Sequence, residues 1–187
     1  MPYSNDTFDW LLKSHIQGLN PESILDVGAG SGKLPSLITH PAIDCIEPTE
    51  QYIRQFELEK KYRDVYMMDI DKYINLYPRN RHDFIYFGDV LEHCYLSEVI
   101  NYLDFFSYRC KWMAVAWPTN ALQDDWEGQK FEIHKSNFTI SDLTRFDVQL
   151  YWKRFLTINT HNSEAYKPVE MHYCIIKGML ETRQSSL

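Results

Sequence analysis

Glycine is scarce in this chain: seven in 187 residues. Cysteine is scarcer, with Cys45, Cys94, Cys110 and Cys174 only. None belongs to a Cys-x-x-Cys pair, which excludes zinc-knuckle and thioredoxin-type sites. Each lies in an apolar stretch, where a thiol acts as a small hydrophobe, so a reducing, cytoplasmic compartment is expected. Long apolar runs are absent too. Nothing approaches the roughly 20 residues needed to span a bilayer, and the polar, acidic stretch Met1–Asp9 has no signal-peptide core. No membrane partner is expected. Positive charge is in deficit: 19 Lys and Arg against 26 Asp and Glu leave a net charge of −7. The bases are scattered, which argues against tight binding to a phosphate backbone, and no nucleic-acid partner is expected. Repeats and low-complexity tracts are missing as well.

What remains is ordinary globular material, 44% hydrophobic and 24% charged. A chain of this length buries about 70% of its unfolded surface, enough for one core without staples. A helix is expected over Asp6–Gln17, closed by Gly18 and Pro21, within an N-terminal segment 1–22. Short apolar runs then alternate with helical patterns. Strands are expected at Ser23–Val27, Ala42–Glu47, Asp64–Met68, Asp83–Phe87 and Trp112–Ala116. Helices are expected at Gly32–His40, Thr49–Lys60, Ile70–Leu76 and Leu91–Tyr108. Such alternation predicts a mostly parallel sheet covered on both faces. After a polar stretch, Thr139 and Asp142 offer a capping box to a short helix, Ile140–Arg145. Val148–Ile158 and His172–Met179 are long β-type runs joined only by a polar connection, so an antiparallel pair at one sheet edge is expected. One domain over 23–180 and a flexible tail at 181–187 complete the reading.

Three of the seven glycines fall within five positions, in Asp26-Val-Gly28-Ala-Gly30-Ser-Gly32. They sit where a strand turns into a helix, which permits a tight turn and close approach of a ligand to bare backbone. A dinucleotide fingerprint would need glycine at 33, where Lys33 stands. An acid at a strand end, Asp26, suits a ligand with an ammonium group better than one with a pyrophosphate. Glu47 follows 21 positions later at the end of the next strand, placed to accept hydrogen bonds from ribose hydroxyls. The pair points to an adenosine-type ligand.

From Ser23 to about Leu180 the sequence resembles the class I S-adenosylmethionine-dependent methyltransferases. Ile24-Leu-Asp-Val-Gly-Ala-Gly-Ser-Gly32 resembles the first family motif, and Ile46-Glu-Pro48 the acidic end of the second strand. Tyr66-Met-Met-Asp69-Ile70 is similar to the adenine-binding segment. Phe84-Ile-Tyr-Phe-Gly-Asp-Val-Leu-Glu-His93 is similar to the fourth strand with its Leu-Glu-His continuation. Val115-Ala-Trp-Pro118 and the segment Glu132-Ile-His134 to Leu143 follow in the family's order. The resemblance implies a Rossmann-like α/β fold, doubly wound, with a seven-stranded sheet whose last strand is antiparallel. It also implies S-adenosylmethionine as cofactor and S-adenosylhomocysteine as product. Gly28, Gly30 and Gly32 would pack on the methionine part, Asp26 and the Gly88 carbonyl would hold the ammonium group, and Glu47 the ribose. Asp69 would bond the adenine amine, with Ile70 against the ring. Glu47 and Asp69 also have plain readings, as helix-start acids.

The implied reaction is methyl transfer to an oxygen, nitrogen or carbon acceptor, expected to be a small molecule. A proton must leave a hydroxyl or ammonium acceptor, and His93 and His134 are the candidates for taking it. Trp10, Trp117 and Trp126 are candidates to line the pocket, with core packing as the alternative. Gly88-Asp89-Val90-Leu91 replaces the Asn/Asp-Pro-Pro-Tyr clamp of planar-amine methylators, and no Pro-Cys nucleophile is present. Catechol-type relatives bind a metal through an acid after the fourth strand and Asp-Asn after the fifth. Asp89 could serve as the first, or as a solvated turn residue. Thr119-Asn120 lacks the second acid, so no metal is expected. The oligomeric state is left open. Two other readings are a non-catalytic cofactor-binding regulatory protein and a nicotinamide-dependent oxidoreductase. An aminopropyl transferase is a weaker one.

Overall fold

The computed structural model describes residues 5–121, 131, 133–158 and 167–180. Seven strands form one sheet in the order β3-β2-β1-β4-β5-β7-β6. They are β1 (Ile24–Val27), β2 (Ile43–Ile46), β3 (Val65–Tyr66), β4 (Phe84–Gly88), β5 (Trp112–Thr119), β6 (Val148–Ile158) and β7 (Lys167–Lys177). The first five pair in parallel, while β7 runs antiparallel to both β5 and β6. The edge hairpin expected from the sequence is therefore present. Six helices flank the sheet: α1 (Asp9–Leu19), α2 (Lys33–Leu37), α3 (Glu50–Gln55), α4 (Leu58–Lys61), α5 (Ile70–Leu76) and α6 (Leu96–Ser107).

Two apolar layers explain why β1, β2 and β4 read as mainly apolar runs, broken only by Asp26 and Asp44. Side chains alternate across a strand. On β4, Phe84 and Tyr86 enter one layer with Leu12 of α1, Leu34 of α2 and Leu58 of α4. Ile85 and Phe87 enter the other with Tyr73 of α5 and Val99, Leu103 and Phe106 of α6. With both faces covered, no position can be polar without a partner. Cys45, Cys110 and Cys174 are buried free thiols in these layers. No helix among the described residues is long and apolar enough to cross a membrane.

Several elements depart from the sequence reading. Asn20, in the left-handed conformation (φ 44°), caps α1, rather than Gly18. The single helix expected over Thr49–Lys60 breaks into α3 and α4, with Glu57 left-handed between them (φ 51°). The break seats Leu58 under the glycine turn. The helix expected from Leu91 is a 3-10 turn, Leu91–His93, followed by α6. Strand β5 continues through Pro118 to Thr119. Strand β4 stops opposite Ala116, so at Pro118 the β4 side of β5 needs no N–H donor. The capping box of Thr139 and Asp142 is present, on a 3-10 turn, Ile140–Leu143. The connection at 159–166 and the tail at 181–187 lie outside the described residues.

Beyond β7 the chain is clamped to the end of α6. Gly178 N–H donates to the Lys111 carbonyl (2.8 Å) and Met179 N–H to that of Ser107 (2.7 Å). A Cβ on Gly178 would stand 2.1 Å from the Cys110 carbonyl oxygen and 2.8 Å from its sulfur. Backbone cannot yield as a side chain can. Gly178→Ala is expected to cost about 3 kcal/mol, lowering the thermal midpoint by about 6–12 °C. Gly18→Ala in α1, where nothing lies within 4 Å, is the control and leaves the midpoint unchanged or raises it. Thermal unfolding followed by circular dichroism checks both.

Candidate cofactor and acceptor site

The strand order reverses between β1 and β4. Open α/β sheets hold ligands at the carboxyl ends of the strands flanking such a reversal. The segments that follow these two strands carry most of the residues singled out in the sequence.

After β1, Gly28, Gly30 and Gly32 all adopt positive φ (75°, 51° and 74°). Gly28 is required twice over, because a Cβ there would also stand 2.5 Å from a Val90 methyl carbon. The loop is tied to the neighbouring strand by Glu47. This carboxylate is 4% exposed. Its Oε2 accepts the Gly30 N–H (2.8 Å) and its Oε1 the Thr49 N–H (2.9 Å). Glu47 therefore clamps the loop to the segment that follows β2.

Asp26, the last but one residue of β1, is also buried, at 4% exposure. Tyr62 donates its hydroxyl to Asp26 Oδ2 at 2.6 Å. Burial is the main cause that pushes the Asp26 carboxyl up to about 7; the Tyr62 hydrogen bond opposes it and the Glu47 charge adds to it. An arriving ammonium group would reverse the shift. Tyr62 was not legible as a site residue. It lies 36 positions from Asp26, past α4, with no motif around it.

After β4, Gly88 is followed by Asp89 in the left-handed conformation (φ 52°), an uncommon state for a residue other than glycine. Far from being a solvated turn residue, Asp89 has a buried carboxylate. Its Oδ2 accepts the Asn5 N–H at 2.7 Å, and its Oδ1 has no hydrogen-bond partner among the described residues. Burial raises its carboxyl to about 6, against the pull of the Asn5 amide and of Lys33. Lys33 Nζ bonds the Asn5 carbonyl (2.7 Å) and pairs with Asp9 (2.6 Å). The lysine that breaks the dinucleotide fingerprint thus anchors the segment leading into α1. Asp69 is exposed and caps α5, its Oδ1 accepting the Lys72 N–H at 2.7 Å, while Ile70 is buried. The capping reading is therefore present; nothing in the geometry sets it against an adenine contact.

His93 and His134 meet. Their ring centroids are 4.8 Å apart and the rings stand edge to face at 77°. The loop carrying His134 is pinned to the turn after β4: Lys135 and Ser136 donate their N–H groups to the Glu92 carbonyl (2.8 and 3.1 Å). His134 Nδ1 lies 2.8 Å from the Ala121 carbonyl oxygen. Glu92, 1% exposed, completes a cluster in which one ligand atom from each of Glu92, His93 and His134 lies within 4.8 Å of the others. The absence of metal was inferred from catechol-type ligands; this is a different ligand set. Glu92 stood in the Leu-Glu-His motif, but only folding shows it beside both histidines.

The tryptophans belong elsewhere. Trp117 is fully buried, stacked between Phe138 and His172 (centroids 4.8 and 5.0 Å), with its N–H on the Phe138 carbonyl. Trp10 is exposed and meets Trp152 of the edge hairpin edge-on at 5.9 Å. Trp126 and Glu132 lie outside the described residues.

The strand order, the positive-φ glycine turn and the antiparallel β7 define the fold of the class I S-adenosylmethionine-dependent methyltransferases. Solved structures show the same likeness. A S-adenosylmethionine-dependent methyltransferase from Archaeoglobus fulgidus superposes with a TM-score of 0.61 at 15% identity, over 90% of this chain and 94% of that one. The N-terminal domain of EvdMO1 with S-adenosylhomocysteine bound gives 0.59 at 11% identity, over 94% and 82%. The methyltransferase domain of a bacterial Hen1 gives 0.52 at 18% identity, over 91% and 98%. No family model matches the sequence, and no curated protein does.

Proposed function

We propose that this chain binds S-adenosylmethionine at the β1–β4 reversal and transfers its methyl group to an oxygen, nitrogen or carbon of a small molecule. The observation that carries the reading is the Gly28–Gly32 turn, held open at positive φ and clamped by the buried Glu47. In this reading bare backbone takes the methionine part, Asp26 and Gly88 take the ammonium group, and Glu47 takes the ribose. Asp69 and Ile70 take the adenine. The α/β methyltransferase neighbours support the cofactor class. The net charge of −7 supports a small acceptor over a nucleic acid.

The chemistry asks little of the protein beyond alignment. The sulfonium already makes the methyl carbon reactive, and the acceptor's lone pair must arrive in line. Positioning alone is worth about 7–11 kcal/mol in well-oriented pairs. In this reading His93 and His134, which pack together, hold the acceptor or take its proton.

Incubation with methyl-labelled S-adenosylmethionine and a panel of small hydroxyl, amine and carbon acceptors tests the reading. Label should appear in an acceptor with matching formation of S-adenosylhomocysteine. His134→Ala is expected to lower turnover without weakening S-adenosylhomocysteine binding. Equal turnover would remove His134 from the mechanism. Binding without transfer to any acceptor would favour a regulatory protein that kept the fold.

A further inference from the structure

We propose that Glu92, His93 and His134 bind one divalent first-row transition-metal ion at the acceptor side of the site. The three come from two segments that folding brings together, the turn after β4 and the loop after β5. Two imidazoles and a carboxylate suit zinc, cobalt, iron or manganese better than magnesium or calcium, which prefer oxygen donors throughout.

The contact of His134 Nδ1 with a backbone carbonyl is an independent observation in favour. A backbone carbonyl can only accept a hydrogen bond, so the contact to the Ala121 oxygen places the proton on Nδ1. In the neutral ring that leaves Nε2, on the far side from this contact, as the nitrogen that would ligate. Orientation of a ligating histidine by a carbonyl on its other nitrogen is the usual arrangement around protein-bound metals. The clamp of residues 135 and 136 on the Glu92 carbonyl fixes the spacing of the two segments. Glu92 is buried, and a buried carboxylate is stabilised by a cation held beside it.

The ligand atoms lie within 4.8 Å of one another. Donors on one ion with bonds of about 2.0–2.2 Å sit about 3.0–3.5 Å apart, so the widest pair closes by roughly 1.5 Å. Small rotations about the side-chain torsions supply that. Three protein ligands leave at least one position for water or an oxygen of the methyl acceptor. Ligation would assign the imidazoles to holding an ion rather than to carrying the acceptor's proton. Metal binding itself does not depend on methyl transfer.

The test is a titration of the full, untagged, chelator-dialysed chain with Co²⁺, followed by visible absorption, with Zn²⁺ as competitor. Saturation at one equivalent per chain and displacement by Zn²⁺ are expected. Glu92→Gln and His134→Ala should each weaken Co²⁺ binding at least tenfold, with the circular dichroism spectrum unchanged. In the wild-type chain, Zn²⁺ should protect His93 and His134 from carbethoxylation over the remaining histidines, a readout that needs no variant to fold. No saturable band, variants that bind as the wild type does, or protection spread evenly over all histidines would overturn the proposal. Calorimetry with S-adenosylhomocysteine on the same samples reports the cofactor site separately, so either reading can fail alone.

Discussion

Replacing Glu47 by alanine is expected to abolish measurable S-adenosylhomocysteine binding and to cost about 3–5 kcal/mol of stability. The two losses share one cause. Glu47, itself buried, accepts the Gly30 and Thr49 amides. Without the carboxylate the buried Thr49 N–H and the part-buried Gly30 N–H lose this acceptor, at about 1–3 kcal/mol each. The glycine turn would lose its tie at Gly30 and keep its backbone bonds to Ile46 and Ala29 and the Lys61 contact to Ser31. The ribose would lose its acceptor as well. Glu47→Gln should fall between, since its one carbonyl oxygen can serve one amide and its NH₂ faces the other donor. Chemical denaturation and calorimetry on the three proteins check this. A Glu47→Ala chain of wild-type stability would refute the clamp, and one of wild-type affinity would refute the sugar contact.

Cofactor affinity is expected to fall about tenfold for each pH unit below about 7, because ligand binding needs Asp26 ionised. In the free protein burial holds that carboxyl at about 7. An ammonium group beside it favours the ionised form, so binding releases a proton below this pH and none above it. Stability of the free protein moves the other way. A raised folded-state pKa gives a contribution fully present below the ordinary value of 3.8 and lost as pH rises through about 7. S-adenosylhomocysteine should therefore raise the thermal midpoint more above pH 7 than below it. Asp26→Asn should bind weakly, with the slope removed. Calorimetry in two buffers of different ionisation enthalpy counts the proton directly. A pH-independent affinity in the wild-type chain would detach Asp26 from the ammonium group.

Much of the sheet was legible because burial on both faces leaves no room for ambiguity. Ile24–Val27, Ile43–Ile46 and Phe84–Gly88 are short, apolar and bounded by turns, and each is a strand. The antiparallel edge followed from two β-runs with no helix between them. What failed was continuity within helices. Nothing local in Thr49–Lys60 announces that Glu57 turns left-handed; the cause is Leu58 packing beneath Gly32, about 26 positions earlier. The break after Leu91–His93 has a similar origin, since that turn meets the loop carrying His134.

The site divides along the same line. The glycines and Asp26 stand in one motif and Glu47 ends the next strand, so strand-and-turn geometry explains their spacing. Tyr62 and the pairing of His93 with His134 depend on chain crossings that no window of sequence contains. Asp89 shows the limit from the other side. Its position after β4 was visible, but its contact with the amide of Asn5, 84 positions away, and its buried Oδ1 were not.

Calorimetric titration of the purified full chain with S-adenosylhomocysteine above about pH 7 tests the cofactor assignment most directly. One site per chain, with heat that saturates and a raised thermal midpoint, is the expected result, alongside no binding of NADH. A folded chain that gives neither heat nor thermal shift with the methyl donor or its demethylated product would contradict it.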